Sequence, residues 1–410
     1  MKRVVLLVAL CVAASSASFA QKKAVSDAQS IAKSDKADFN EARNLIKGAL
    51  ANDETKNDAK TWYVAGFVED QAFSAERTKQ ILGQKPDEPK MYEALYGVLP
   101  YFKKSYELDQ LPDVKGKVKP KFSKDIKSIL GADHSYFFNA GAYYYDKHEF
   151  AKAIDGFEQY IEIANMPMFA GTKTAERDST YMTVQFYSAI AAIQLNDAKL
   201  AIEKLTRAKD FPYRQNDVYQ YLAYECDQAK DTVAMEKYLE EGYSKSFAED
   251  TTDYYLLSLI NLYITSGRDE KALSYLDKAI EKKPTNANLY NVKGRVYEDQ
   301  KDFEKALTMF NKALEIDPNL TDALSNVGRI YYNQAVNKLS DANGITDNTK
   351  YKAAKDDALK LFKQALPFFE KAHTDKPDEM EYMIALRGIY YNLDMGDKLK
   401  DIEAKMGANK

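Results

Sequence analysis

Two cysteines, one tryptophan and three histidines in 410 residues exclude several kinds of protein at once. The cysteines are Cys11 and Cys226. Cys11 lies in an N-terminal segment that reads as removable, so the mature chain keeps one thiol and forms no internal disulfide. Cys226 reads as a small, partly buried helix residue. His134, His148 and His373 make no H-E-x-x-H pair, and no Cys/His spacing suits a metal. The sequence has no G-x-S-x-G elbow and no glycine-rich phosphate loop. No catalytic, cofactor or metal residue is therefore assigned, and the chain reads as non-enzymatic. Asp341, Asn343, Gly344 and Asp347 resemble part of a calcium loop, but one ligand position and the closing Glu are missing, and the same residue types make ordinary turns. Basic excess is also lacking. The formal net charge is −4, whereas general nucleic-acid binding needs a dense cationic face.

No apolar run is long enough to cross a bilayer. The longest, Val4 to Ala14, follows Lys2 and Arg3 and precedes Ser18-Phe19-Ala20. That order of basic start, short apolar core and small residues predicts a secretory signal, residues 1–20, cleaved after Ala20. A lipid anchor at Cys11 is the rival, disfavoured by the bulk of Leu10. Removing Lys2 and Arg3 takes the net charge from −4 to −6. The expected location is the periplasm, with secretion or peripheral outer-membrane association as alternatives, and no integral span remains.

What the chain does have is tyrosine, 30 of them, and 45% apolar residues with few β-branched runs, which favours helices. The stretch 287–320 organises the rest. Tyr290, Gly294 and Tyr297 are followed, after a polar break, by Phe303, Ala306, Phe310 and Ala313, and Asp317-Pro318 closes it. Small residues at helical spacing let two backbones approach, and the aromatics fill the space between them. This pattern resembles the tetratricopeptide repeat, a helix–turn–helix unit of about 34 residues. One departure is Lys293, where the family prefers Leu. Units starting at Asp253, Ala287 and Thr321 share the register.

The resemblance implies an all-α fold, an α-solenoid of tandem helix pairs forming a right-handed superhelix. About nine units are expected. Residues 21–133 read as degenerate and stretched repeats, with a poor first helix in the Ser-, Lys- and Asp-rich start. Helices are expected over about 60–82 and 91–109, then a basic linker over 114–120. Residues 134–252 read as central repeats, 253–379 as C-terminal repeats with an insertion near 337–361, and 380–410 as capping helices and a tail. Two similar stretches, 99–105 and 366–372, each place a proline inside a second helix, which predicts bends at Pro100 and Pro367.

In the family, ligands meet defined places on each first helix. Those places here are Phe138, Tyr145, Phe186, Tyr219 and Leu257, then Asn261, Asn291, Arg295, Ser325, Arg329 and Tyr332. The first group gives an aromatic stripe, the second a polar row. Asn261, Arg295 and Arg329 recur every 34 residues, and a guanidinium row could hold a carboxylate. Alternatively, Arg295 and Arg329 pair with acids such as Glu298 and Asp322, and the aromatics are interhelical core. The resemblance implies a scaffold for a protein or peptide of unknown identity. The alternative is a glycan-binding helical-repeat protein of an envelope uptake system. Homo-oligomerisation is left open. The leader's ending resembles those of envelope proteins of Bacteroidota.

Overall fold

The computed structural model describes residues 20–408. Residues 1–19 of the expected signal segment thus lie outside the described residues, while Ala20 and Gln21, which flank the expected cleavage site, are helical. Among the described residues there are eighteen α-helices, two 3-10 turns and no strand. The chain divides into two compact units, up to Tyr238 and from Leu239 onward. The division falls within α10 (Thr232–Lys245), not at the expected 252/253.

The first unit stacks α1 (20–32), α2 (Phe39–Ala51), α3 (Ala59–Ile81), α4 (Glu88–Asp109), α5 (Ser123–Asp146), α6 (Phe150–Asn165), α7 (Ser179–Gln194), α8 (Ala198–Ala208) and α9 (Gln215–Gln228). The polar start of the mature chain is a better helix than its composition promises. In α1, Val25, Ala28 and Ala32 are buried, a stripe at helical spacing set among solvated Ser, Lys and Asp. α5 runs unbroken across the 133/134 boundary read from the sequence. Two 3-10 turns, Pro167–Phe169 and Lys173–Ala175, occupy the expected 166–177 loop, and Phe169 is buried there.

The second unit contains α11 (Tyr254–Thr265), α12 (Asp269–Lys282), α13 (Ala287–Asp299), α14 (Phe303–Ile316), α15 (Thr321–Ala342), α16 (Asn348–Asp375), α17 (Met380–Asn392) and α18 (Gly396–Ala408). The insertion near 337–361 is not a separate segment. It is absorbed into α15 and α16, which are 22 and 28 residues long. Pro100 and Pro367 both sit inside helices that continue on either side of them.

Local chemistry sets the ends. Asp38, Asp58, Asp87, Asp197, Asp302 and Asp347 cap the helices that follow them by accepting a first-turn amide. In six hairpins the second residue past the first helix is left-handed: His148, Asn196, Lys230, Gly267, Lys301 and Asp394 have φ between 55° and 65°. The next amide then reaches back to close the turn, as from Arg268 to the Tyr263 carbonyl at 2.8 Å and from Asp302 to Tyr297 at 2.9 Å.

Inside the hairpins one contact recurs. A glycine on the first helix faces a phenylalanine ring on the second, at Gly66–Phe102, Gly141–Phe157, Gly294–Phe310 and Gly328–Phe369. A methyl added at Gly294 would lie 2.5 Å from the Phe310 ring, and that ring is fully buried. Gly294→Ala should therefore destabilise the second unit by about 1–3 kcal/mol through overpacking. A urea titration followed by circular dichroism checks this, and Phe310→Leu in the same chain should recover part of the loss.

Candidate functional site

The polar row lies in the second unit, on the first helices α11, α13 and α15. Asn261 and Arg295 are exposed. Arg295 makes no hydrogen bond or ion pair among the described residues. Arg329 behaves differently. Its guanidinium grips Glu298 through two bonds of 2.6 and 3.0 Å and also donates to Asn326 Oδ1 at 2.7 Å. Asn326 Nδ2 in turn donates to Asn291 Oδ1 at 3.0 Å. Asn291 and Asn326 are both buried. This chain of bonds ties α13 to α15 and satisfies polar groups that would otherwise be costly to bury. Asn291 and Arg329 are thus fasteners between successive hairpins, and of the row's two arginines Arg295 is the one left unpaired among the described residues. It stands one turn from Glu298 on α13, on the same face.

Tyr332 is also structural. Its ring packs edge-on against Phe362 and Phe369, at 5.6 and 6.4 Å between centroids, and its hydroxyl occupies the space a side chain at Gly388 would need. Ser325 donates to the Asp322 carbonyl at 3.0 Å. Leu257 is exposed. Lys293, the family mismatch, forms an ion pair with Asp277 of α12 and keeps only 12% of its side chain exposed. Its ammonium thereby replaces an apolar contact between hairpins with an ionic one.

The aromatic stripe of the first unit is mostly core. Phe186 and Tyr219 are buried, which corrects the expectation that they line an open face. Phe186 meets Tyr213 edge-on at 5.7 Å, with the Arg214 guanidinium 4.9 Å from its ring. Phe138 and Tyr145 are half-buried against the main core. Tyr145 touches Phe150 and Tyr187 at 5.5 and 5.9 Å. Helical spacing alone does not say which side of an aromatic helix faces water.

A cavity of about 410 Å³ lies among α2, α3 and α4. Ala72, Ala75, Ala94 and Gly97 line it, with Phe39 and Tyr101 among the larger side chains. Arg43 and Glu69 form a two-bond ion pair beside it, at 2.8 and 2.6 Å. Sequence reading missed this feature. The available signal was the small residues three apart on each of two consecutive long helices.

The histidines and the thiol are placed as structural groups. His134 is buried, stacks on Tyr160 at 3.8 Å, and its Nε2 lies 2.9 Å from the Tyr160 carbonyl. Burial holds its pKa below the usual value. His148 occupies a left-handed turn. Burial also lowers His373, helped by the Lys405 charge. Cys226 is buried, and burial pushes its thiol up to about 11, so thiolate chemistry at neutral pH is suppressed. Asp347 caps α16, and the Gly344 amide donates to the Asp341 carbonyl at 3.3 Å, the turn geometry weighed against a calcium loop. No cluster of three His, Cys, Asp or Glu suited to a metal occurs among the described residues. Within them no helix is long and apolar enough to cross a membrane.

These features define a class, a protein of stacked antiparallel helix hairpins locked by small and aromatic residues. The family profile of the tetratricopeptide repeat matches residues 287–320, the hairpin of α13 and α14. The chain thus carries a tetratricopeptide repeat in this hairpin. It is similar to the C-terminal part of a TPR repeat-containing protein from Cytophaga hutchinsonii, at 17% identity and a TM-score of 0.41, over 67% of this chain and 95% of that one. A TPR repeats protein from Bacteroides fragilis is 18% identical at a TM-score of 0.32, over 63% and 98%. YrrB, described as a TPR protein with an unusual peptide-binding site, is 18% identical at 0.33, over 50% and 96%. No curated protein matches the sequence.

Proposed function

We propose that this chain is an exported, non-enzymatic scaffold that binds a protein or peptide on the α11–α13–α15 face of its second unit. In this reading Arg295 receives an acidic side chain or a terminal carboxylate. The observation that carries it is the contrast on that face. Asn291, Asn326, Arg329 and Glu298 satisfy one another, while Arg295 is exposed and unpartnered among the described residues. A fixed polar frame beside a free guanidinium suits recognition of a planar anion. Asn261, exposed on α11, supplies a donor and an acceptor for peptide backbone.

A crosslinked pull-down from envelope fractions tests the reading. Arg295→Glu should lose the captured partner at least tenfold, because a charge reversal sets like charges against each other, with unchanged circular dichroism. Arg329→Ala is the contrast, expected to lower stability before it lowers capture. Equal recovery of the partner by wild type and Arg295→Glu would remove the site from consideration. Export is read from the same preparation: the purified protein should begin at Gln21, and an intact N-terminus in the cytosolic fraction would overturn it.

A further inference from the structure

The connection between α4 and α5 is unlike the rest of the chain. Residues 111–127 hold six lysines, Lys115, Lys117, Lys119, Lys121, Lys124 and Lys127, against Asp113 and Asp125, in a protein of net charge −4. Every residue from Leu111 to Lys121 is exposed. Three of them are apolar: Leu111 is 61%, Val114 104% and Val118 49% exposed.

The segment is nevertheless held in shape from within. Asp113 accepts the amides of Lys115 and Lys117 at 2.9 and 3.0 Å. The Asp113 amide donates to the Lys117 carbonyl at 2.9 Å, and the Gly116 amide donates back to Asp113 at 2.8 Å. At the base, the Asp109 carboxylate takes the amides of Lys121, Phe122 and Ser123 and the Ser123 hydroxyl. Burial alone would raise Asp109, but these donors hold it below the usual carboxylate range. Phe122 anchors the loop by stacking on Tyr63 at 4.7 Å.

The outcome is a braced loop that presents aliphatic tips between free ammonium groups. Asp113 is occupied by its amides and by Lys119 at 3.3 Å, so Lys115, Lys117 and Lys121 keep their charge unpaired among the described residues. Such a surface matches one environment chemically. Ammonium groups sit among lipid phosphates while short apolar side chains enter the acyl boundary beneath. Nucleic acid would instead favour arginines and stacking aromatics, and the exposed stretch has neither. A folded acidic protein offers no fluid apolar layer to receive Val114 and Val118.

We infer that the loop from Leu111 to Lys121 docks the protein on the surface of an anionic lipid bilayer. Vesicle flotation with the full mature chain tests it. Wild type should float with phosphatidylcholine vesicles containing about a third phosphatidylglycerol and stay behind with phosphatidylcholine alone, and added salt should weaken the association. The triple variant Lys115→Gln, Lys117→Gln, Lys121→Gln should bind at least tenfold more weakly. Val114→Ser with Val118→Ser should reduce binding while retaining the salt dependence. Trp62 fluorescence confirms that each variant is folded. Absence of wild-type flotation, or equal flotation of the lysine variant, overturns the inference. Equal binding to neutral vesicles also overturns it, and capture by soluble polyglutamate in place of vesicles reassigns the loop to an acidic polypeptide.

Discussion

Glu158→Ala should cost the first unit about 3 kcal/mol of stability, among the larger losses any single change on its surface would cause. Glu158, on α6, takes two bonds from Arg207 at 2.6 and 3.0 Å, a hydroxyl from Ser188 at 2.6 Å and the Lys204 ammonium at 2.9 Å. Burial works to raise its carboxyl, but these partners win and hold it at about 2. α6, α7 and α8 are tied together through this one carboxylate. Arg207 can turn toward water when Glu158 is removed. Lys204 has only 4% of its side chain exposed and would be left as a buried cation. Asp155 also feels the Lys204 charge, which keeps the expected loss near the lower end for a broken buried pair. Urea unfolding followed by circular dichroism measures it. Adding Lys204→Met should restore most of the loss, and a loss below about 1 kcal/mol would mean that Lys204 is stabilised by something other than Glu158. The sign with pH is fixed: a carboxyl lowered on folding stabilises above its ordinary value near 4.5, and that contribution disappears as pH falls toward 2.

The second large effect runs the opposite way. Asp133 and Asp70 are buried together between α5 and α3. Burial and the neighbouring Asp70 charge push Asp133 up to about 7, against the pull of Arg77 at 2.8 Å. Asp70 is raised too, chiefly by burial. A carboxyl whose folded value lies above its ordinary 3.8 binds a proton more tightly when folded. Its contribution is complete at low pH and is lost as pH rises through 7. Between pH 5 and 7.5 the wild type should lose on the order of 2–3 kcal/mol from this pair, and Asp133→Asn should remove most of that slope. Trp62 is the chain's single tryptophan. It lies on α3 with Asp70, and its Nε1 donates to the Lys56 carbonyl at 2.6 Å. Its fluorescence therefore reports the unfolding of this unit in urea at each pH. Parallel slopes for wild type and variant would show that the pair does not titrate in this range.

The helix hairpins were legible because each one repeats a physical requirement. A small residue must face a large ring, and Gly294 opposite Phe310 states that requirement in a sixteen-residue interval. The first helix was obscured because only Val25, Ala28 and Ala32 carry its buried face, and Ser, Lys and Asp supply the rest. The candidate site was half legible. A period of 34 placed Arg295 and Arg329 at equivalent points and offered Glu298 as a partner to either, but it carried no information about which guanidinium Glu298 takes and which it leaves. The same limit applies to Phe186 and Tyr219. An aromatic residue on the inner side of one hairpin becomes core when the next hairpin packs over it, and that is decided by neighbours distant in sequence. Asp70 and Asp133 are 63 positions apart, and nothing local marks them as partners.

The glycine–phenylalanine contact has a further bearing on how such a chain can grow. The two partners are sixteen positions apart in the hairpins of Gly141 and Gly294, but 36 apart at Gly66–Phe102 and 41 at Gly328–Phe369. The added residues lie between the partners, toward the turn, so each long hairpin extends past its own clasp while the clasp stays in register. Length beyond that point does not have to keep the spacing of the clasp, and in α3 it makes a contact of its own with the next helix pair, from Arg77 to Asp133 of α5. The turn at 343–347 is accordingly a graft point: an epitope, a fluorophore or a small folded domain spliced there would ride on a helical stalk and leave the stack beneath it undisturbed.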